Sequence, residues 1–360
     1  MSSAYADLYL NALKNPALRK DLIAIAKKRN KTLSVLMPLL TALLIVAGIY
    51  CSSASLVWLL IGIPLITMGK IWAWYLGHEY AHNCAFKSKK TNALLGEFVS
   101  FINGLSFSSF EEYQHLHNRH HADKVDLVGF DIRQFKSDHP RAYQVMEYLE
   151  RIYVPGFYYL IKLYGIGATL KSGTRQEKGR AVIATLLYVS GYALGIVYCL
   201  PALIAWQIAS LIRIHVVRFV DCFQHSFEQI QLDEPSANKS DKHFEILNTF
   251  SIPVARKHTY LNLLILNFGY HNAHHSFPTC PWYFLPELER RILQEMSSQV
   301  SQCHTAYLRE SALNFLDLLR LYRKHHLKRI ASDKEGNPYD VDGNFKLEDF
   351  TGAYTDKLLG

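Results

Sequence analysis

Residues 33–51 read LSVLMPLLTALLIVAGIYC, running from Leu33 to Cys51 over 19 positions without a charge. A helix rises about 1.5 Å per residue, so this run covers the hydrocarbon core of a bilayer, about 30 Å thick. Working outward, Ser52 to Ser55 form a short polar break, after which Leu56 to Gly69 resume the apolar pattern. That second run continues through Lys70 into Ile71-Trp72-Ala73-Trp74-Tyr75. A second pair follows, Ala181 to Leu200 and Ala202 to Ile212, separated by Pro201. Any one run could be the core helix of a soluble protein. Four runs in two tight pairs predict an all-α integral membrane protein, with spans at 33–51, 56–77, 181–200 and 202–220 in two hairpins.

Lys14, Arg19, Lys20, Lys27, Lys28, Arg29 and Lys31 precede the first span, and neither hairpin tip carries a basic residue. The positive-inside rule then puts the N-terminus, the long middle segment and the C-terminal third in the cytosol. A bacterial inner membrane and an endoplasmic reticulum satisfy this equally. The first span feeds directly into the second with no small-residue cleavage signal, so no removable signal peptide is expected. Residues 1–31 read as an N-terminal amphipathic cytosolic segment. Tyr5, Leu8, Leu13 and Leu22 predict a helix on the membrane surface or in solvent. Residues 32–330 form the membrane domain and 331–360 a polar tail, whose acidic positions lack calcium-loop spacing. Residues 96–111 read as an interfacial or re-entrant segment leading into the second box, the stretch from Arg141 to Gly167 as a membrane-surface helix, and Pro286 to Ile330 as cytosolic helices.

Apolar residues make up 49% and charged residues 19%, which excludes disorder and collagen-like repeats. The six cysteines include no CxxC, which argues against a disulfide framework and a thiolate zinc site. A net charge of +8 comes without any nucleic-acid-binding motif, so no nucleic acid partner is expected. Basic cytosolic faces also attract anionic headgroups and acidic redox proteins.

The 17 histidines carry the chemistry. Three clusters have ligand spacing: His78-Glu79-Tyr80-Ala81-His82, His117-Asn118-Arg119-His120-His121 and His271-Asn272-Ala273-His274-His275. Positions i, i+3 and i+4 share one side of a helix, so each cluster presents its imidazoles together. At this histidine content HxxHH should occur far less than once by chance, and it occurs twice. Asp221-Cys222-Phe223-Gln224-His225 adds a DxxxH. Lys70 and Arg213 read as basic anchors near the cytosolic ends of the second and fourth spans. His78 and His82 lie 8 and 12 residues past Lys70, and Asp221 and His225 lie 8 and 12 past Arg213. Helices continuing outward would set all four in two matched layers, about 12–18 Å beyond the anchors.

His78, His82, His117, His120, His121, His225, His271, His274 and His275 are too many ligands for one tetrahedral zinc. They suit two octahedral first-row metals with positions left for oxygen or water, and iron fits that chemistry best. Asp221 reads as a cofactor-binding residue: a direct ligand, a ligand through water, or a carboxylate orienting His225. Seven other histidines (His139, His215, His243, His258, His304, His325 and His326) stand singly and read as ordinary surface or core residues. His115 points about 200° away from His117 on a helix.

In these residues the chain resembles the membrane fatty acid desaturase family, within the wider membrane desaturase–hydroxylase superfamily. The resemblance covers about residues 65–290 and rests on HEYAH, HNRHHAD and GYHNAHHSFPTCPW. It implies a di-iron centre held by the three boxes in a cytosolic helical cap. A histidine after the last span, preceded by a polar residue four positions earlier, completes that centre, here His225 and Asp221. Many members of the family have Asn where this chain has Asp221. The third box also resembles that of sphingolipid desaturases around GYHN. The implied activity is an O2-dependent desaturation of a fatty acyl or sphingoid-type chain, using two iron ions. A separate ferredoxin, or a b-type cytochrome with its reductase, would supply electrons, because His139-Pro140 lacks the glycines of a fused cytochrome. Trp72, Trp74, Phe107, Phe110 and Trp282 are candidate lining residues for the acyl chain, although ordinary packing would account for each.

Three rivals come from the same residues. A hydroxylase or monooxygenase of the superfamily, acting on a lipid, carotenoid or hydrocarbon, would use similar boxes. A carboxylate di-iron bundle could use the ExxH pairs Glu79–His82 and Glu112–His115, but it leaves most of the clustered histidines unexplained. A membrane metal-binding or transport protein would place ionisable groups mid-span, and these spans hold no His, Asp or Glu there.

Overall fold

The computed structural model describes residues 3–104, 107–232, 234–235, 241–255 and 257–299, together with 319 and 322. The rest of the segment expected to be helical up to Ile330, and the tail 331–360, lie outside the described residues. The first half of the chain forms α1 (Ser3–Lys14), α2 (Pro16–Ala26), α3 (Lys31–Ala54), α4 (Leu59–Ala81), α5 (Lys89–Asn103), α6 (Phe110–Asp123) and β1 (Val125–Val128). There follow α7 (Ile132–Asp138), α8 (Pro140–Arg151), α9 (Gly156–Ser172), α10 (Arg175–Tyr198), α11 (Leu200–Asp221), β2 (Glu228–Gln231), α12 (Lys242–Leu247), α13 (His271–Ser276) and α14 (Leu285–Ser298). Among the described residues α3, α4, α10 and α11 are long and apolar enough to cross a membrane.

The chain divides into two compact units. A span unit is built from residues 30–117 and 129–217, and a box unit from the described parts of 1–29, 118–128 and 218–355. The chain passes between them within α6, after His117, and within α11, after Val217.

In the span unit, the Asn30 side chain starts α3 by accepting the Leu33 N–H at 3.1 Å. Helices α3 and α4 pack antiparallel and close. A Cβ on Gly62 would lie 2.6 Å from the Gly48 carbonyl oxygen, so only glycine permits the approach. Ile66 of α4 packs with Ala205 and Ala209 of α11. The break between α10 and α11 falls at Cys199, two residues before Pro201, which sits in the first turn of α11. Proline is tolerated there because its missing N–H would have no helical partner.

Lys70 and Arg213 do not reach outward as anchors. They are 1% and 4% exposed, covered by protein atoms. Of residues 96–111, those up to Asn103 form the second half of α5, a 15-residue helix capped by Gly104 at φ +84°, and Phe110 begins α6.

In the box unit, β1 and β2 form a two-stranded parallel ladder from Val125↔Glu228 to Val128↔Gln231, which the all-helical expectation lacked. Four-residue strands carry too short a pattern to read from sequence, and their partner lies about a hundred residues away. The N-terminal segment also differs. It is two helices broken at Asn15, whose side chain accepts the Ala17 and Leu18 N–H groups. Its apolar face meets protein: Tyr5, Ala6, Tyr9 and Leu22 share a core with Tyr270, Ala273, Leu288 and Ile292. The amphipathic pattern was real, but α13 and α14 cover it instead of lipid or water.

Candidate metal centre

The span unit gathers the first box and the start of the second. His78 lies in the last turn of α4 and His82 is its C-terminal cap. Gln114 of α6 donates to the freed Ala81 carbonyl at 2.7 Å, which holds α6 against the end of α4. Tyr113, one turn before His117, stacks on its ring at 5.7 Å. As a result His78 and His117 have ring centroids 4.2 Å apart, and the Nε2 atoms of His82 and His117 are 2.8 Å apart.

The box unit gathers the rest. His120 and His121 occupy the last turn of α6, and α13 carries His271, His274 and His275 on its six residues. His225 does not continue α11, which ends at Asp221. It is held past the helix by an antiparallel bridge to Thr249. The Phe250 N–H donates to the Gln224 carbonyl at 2.9 Å, and the Ser226 N–H to the Asn248 carbonyl at 3.1 Å, so this backbone fixes His225 more firmly than a frayed helix end. The Nε2 atoms of His225 and His271 are 2.7 Å apart, and those of His121 and His274 are 3.2 Å apart. His120, His225 and His275 form one close donor group, and His121, Glu245 and His275 form another.

Two carboxylates steer these rings. Glu245 Oε1 lies 3.2 Å from His275 Nδ1, while Oε2 accepts Lys242 Nζ at 2.6 Å with Lys124 Nζ at 3.9 Å. Asp126 Oδ1 lies 3.3 Å from His120 Nδ1, which donates to the Val125 carbonyl at 2.8 Å. Fixing Nδ1 in this way makes Nε2 the atom that could ligate a metal. His275 Nε2 is buried and has no hydrogen-bond partner. Burial holds its pKa well below the usual histidine range, and the neighbouring His225 and His271 push it the same way. The ring is therefore neutral, which is the ligating form.

The donor set fits first-row metal ions. Two nitrogens bound cis on an octahedral ion at about 2.1 Å lie about 3 Å apart, close to the three Nε2 pairs at 2.7, 2.8 and 3.2 Å. Imidazole nitrogens at that spacing could share one bound cation as their partner.

Residues 53–307 match the family model for fatty acid desaturase. The chain belongs to the fatty acid desaturase family. Among its relatives are two proteins named sphingolipid delta(4)-desaturase. The one from Candida albicans is 27% identical over 246 residues, covering 62% of this chain and 59% of that protein. The one from Drosophila melanogaster is 28% identical over 238 residues, covering 64% of each. The match thus spans less than two thirds of either relative's length.

Asp221 is the last residue of α11, and the close groups of three or more donors found among the described residues do not include it. The carboxylate-bundle rival loses its second pair, because Glu112 and His115 are exposed. Of the candidate lining residues, Phe110 is 2% exposed and fills the space over Gly96, which makes it a packing residue of the span unit. Asp126 and Glu245 escaped the sequence reading. Asp126 follows the second box by five residues, and Glu245 reads there as one half of a surface i,i+3 pair with Lys242.

Proposed function

We propose that this chain is an O2-dependent lipid desaturase that introduces a double bond into a fatty acyl or sphingoid-type chain. The observation that carries the reading is the gathering of imidazoles at cis-ligand spacing in a chain of the desaturase family. His78, His82, His117, His120, His121, His225, His271, His274 and His275 would hold two iron ions, with Asp221 acting through water. Bound there, iron supplies the redox chemistry by which O2 is reduced to water while two adjacent methylenes lose one hydrogen each. The balance needs two further electrons and two protons, so a separate donor, a ferredoxin or a b-type cytochrome with its reductase, completes the cycle.

The protein's own part is positional. Glu245 and Asp126 hold His275 and His120 in the tautomer that presents Nε2. Gln114 and Tyr113 fix the first box against His117. The four long helices would enter the membrane as two hairpins, with the boxes forming a cap on the cytosolic side where the donor docks. The sphingoid alternative draws on the names of the two relatives and on the GYHN run of the third box.

The test is a mass-spectrometric lipid profile of host cells expressing this chain beside His274→Ala, together with iron analysis of the purified proteins. A product 2 Da lighter than a host chain, absent from the variant, with about two irons per chain, is the expected result. A product 16 Da heavier would reassign the chain to the hydroxylases, and a purified protein without iron would end the oxygen-chemistry reading.

A further inference from the structure

The span unit gathers three cations around the end of α5, Lys70 and Arg213 buried and Lys162 half-buried, without a carboxylate partner for any of them among the described residues. Lys70 Nζ donates to the Asn103 carbonyl at 3.0 Å, and Lys162 Nζ donates to the carbonyl of the next residue, Gly104, at 3.1 Å. Consecutive carbonyls therefore bring two ammonium groups to one helix end. The third cation joins through α9. Arg213 Nη2 donates to the hydroxyl of Tyr158, one helical turn before Lys162, at 3.1 Å.

Aromatic faces complete the surroundings and tie α4 to α11. Lys70 of α4 lies 3.6 Å over Trp206 of α11, and Arg213 of α11 lies 5.8 Å over Trp74 of α4. Lys162 lies over the stacked rings of Phe107 and Tyr188.

These partners do not balance the charge. The C-terminus of α5 supplies about half a negative charge through its free carbonyls, and ring faces add only a quadrupole. Arg213 carries a guanidinium and is 4% exposed. Its Nε has no hydrogen-bond partner. Two further groups in the same cluster stand unused: the side-chain amide of the buried Asn103, whose oxygen and nitrogen both lack partners, and the buried Tyr188 hydroxyl. Buried cations are normally paired. Here positive charge, N–H donors and a hydroxyl are gathered with no counter-anion among the described residues.

We propose that Lys70, Lys162 and Arg213 form a binding site for the oxyanion of an amphiphile, a carboxylate or phosphate at the end of an acyl chain. The lipid source is preferred over a soluble anion because the cluster sits among span-length helices. On α11, which supplies Arg213, Ile204, Ile208 and Ile212 are exposed apolar side chains suited to an acyl chain. The site involves none of the clustered histidines and stands whether or not the bound lipid is the one desaturated.

Trp74 and Trp206 provide the signal for the test. The full chain, purified in a neutral maltoside detergent, is titrated with octyl phosphate, octyl glucoside and inorganic phosphate while tryptophan fluorescence is followed. Octyl phosphate should give a saturable change whose half-saturation rises at least tenfold in Arg213→Gln, and octyl glucoside should give none. A comparable response to inorganic phosphate would overturn the lipid assignment. Equal octyl phosphate titrations in the wild type and the variant would overturn the site altogether. If Arg213→Gln fails to fold, Lys70→Met serves in its place. That variant should melt higher than the wild type without ligand and lose most of the melting-point increment that octyl phosphate gives the wild type. An undiminished increment would again overturn the site. The readout is independent of iron and turnover, so its failure and that of the desaturase reading are separate events.

Discussion

Two regions of this protein bury formal charge, and they do so in opposite ways. In the box unit, Glu245 is 2% exposed and fully matched, with Lys242 and Lys124 on one oxygen and His275 on the other. In the span unit, Lys70 and Arg213 are as deeply buried but meet only carbonyls, a hydroxyl and ring faces. Charge that is paired within the protein fixes geometry, since each partner restricts the others. Charge left unpaired destabilises the protein until something else supplies the counter-charge. The first arrangement suits a ligand sphere that must not move, the second a site that waits for an anion.

The harshest way to break the comparison is His275→Ala. It removes a proposed ligand and leaves Glu245 facing only lysines, so the variant should retain fewer than two irons per chain and form no desaturated product. Glu245→Gln is gentler, because it keeps the shape and loses the charge that sets the His275 tautomer. Outer partners of metal-bound histidines are generally worth about 10–100-fold in metal affinity. The variant should therefore lose iron to a chelator at a concentration about 10–100-fold below that needed for the wild type. Unchanged retention would mean that Glu245 is only a salt-bridge partner of Lys242.

What the sequence disclosed was local. The three boxes are legible because i, i+3 and i+4 fix a face on any helix, and α4, α6 and α13 supply those helices. The spans are legible because composition alone decides them. What stayed hidden depends on pairings far apart along the chain. Glu245 reaches His275 across thirty residues, and β1 pairs with β2 across about a hundred. His225 shows the limit most clearly. The matched 8-and-12 spacing from Arg213 assumed a helix running past Asp221, but the backbone there turns to bridge Thr249. Lys70 was misread for a related reason, since a basic residue near a span end has two options, snorkelling or burial. Only the positions of Trp206 and Asn103 choose between them.

Lys70→Met sharpens the comparison from the other side. Replacing a buried, unpaired charge by an apolar side chain of similar length is often stabilising by about 1–4 kcal/mol. The cation–π contact with Trp206 and the bond to the Asn103 carbonyl offset part of that, so a gain of about 1–2 kcal/mol in unliganded protein is expected from thermal or denaturant unfolding. Lys242→Met, on the matched side, should bring no such gain. It removes the nearest counter-charge from a buried carboxylate and should cost about 1–2 kcal/mol, less than for a fully buried pair because Lys242 itself is largely exposed.

The smallest effect concerns how the N-terminal helices hold the box unit together. Tyr9 is completely buried, and its hydroxyl accepts a hydrogen bond from Ser276 Oγ at 3.2 Å, immediately after the third box. Burial, reinforced by Glu289, raises the phenol pKa well above its ordinary value, so the group stays neutral and the bond is between uncharged partners. Such a bond contributes about 0.5–1.5 kcal/mol net. Ser276 is only half-buried and can turn to water when the hydroxyl is removed. Tyr9→Phe should therefore cost less than about 1 kcal/mol and leave iron content unchanged. Tyr9→Ala opens a cavity against Tyr270 and Ala273 and should cost about 3–5 kcal/mol. A large loss already in Tyr9→Phe would mean that the bond to Ser276, more than the apolar face of α1, fastens the N-terminus over the third box.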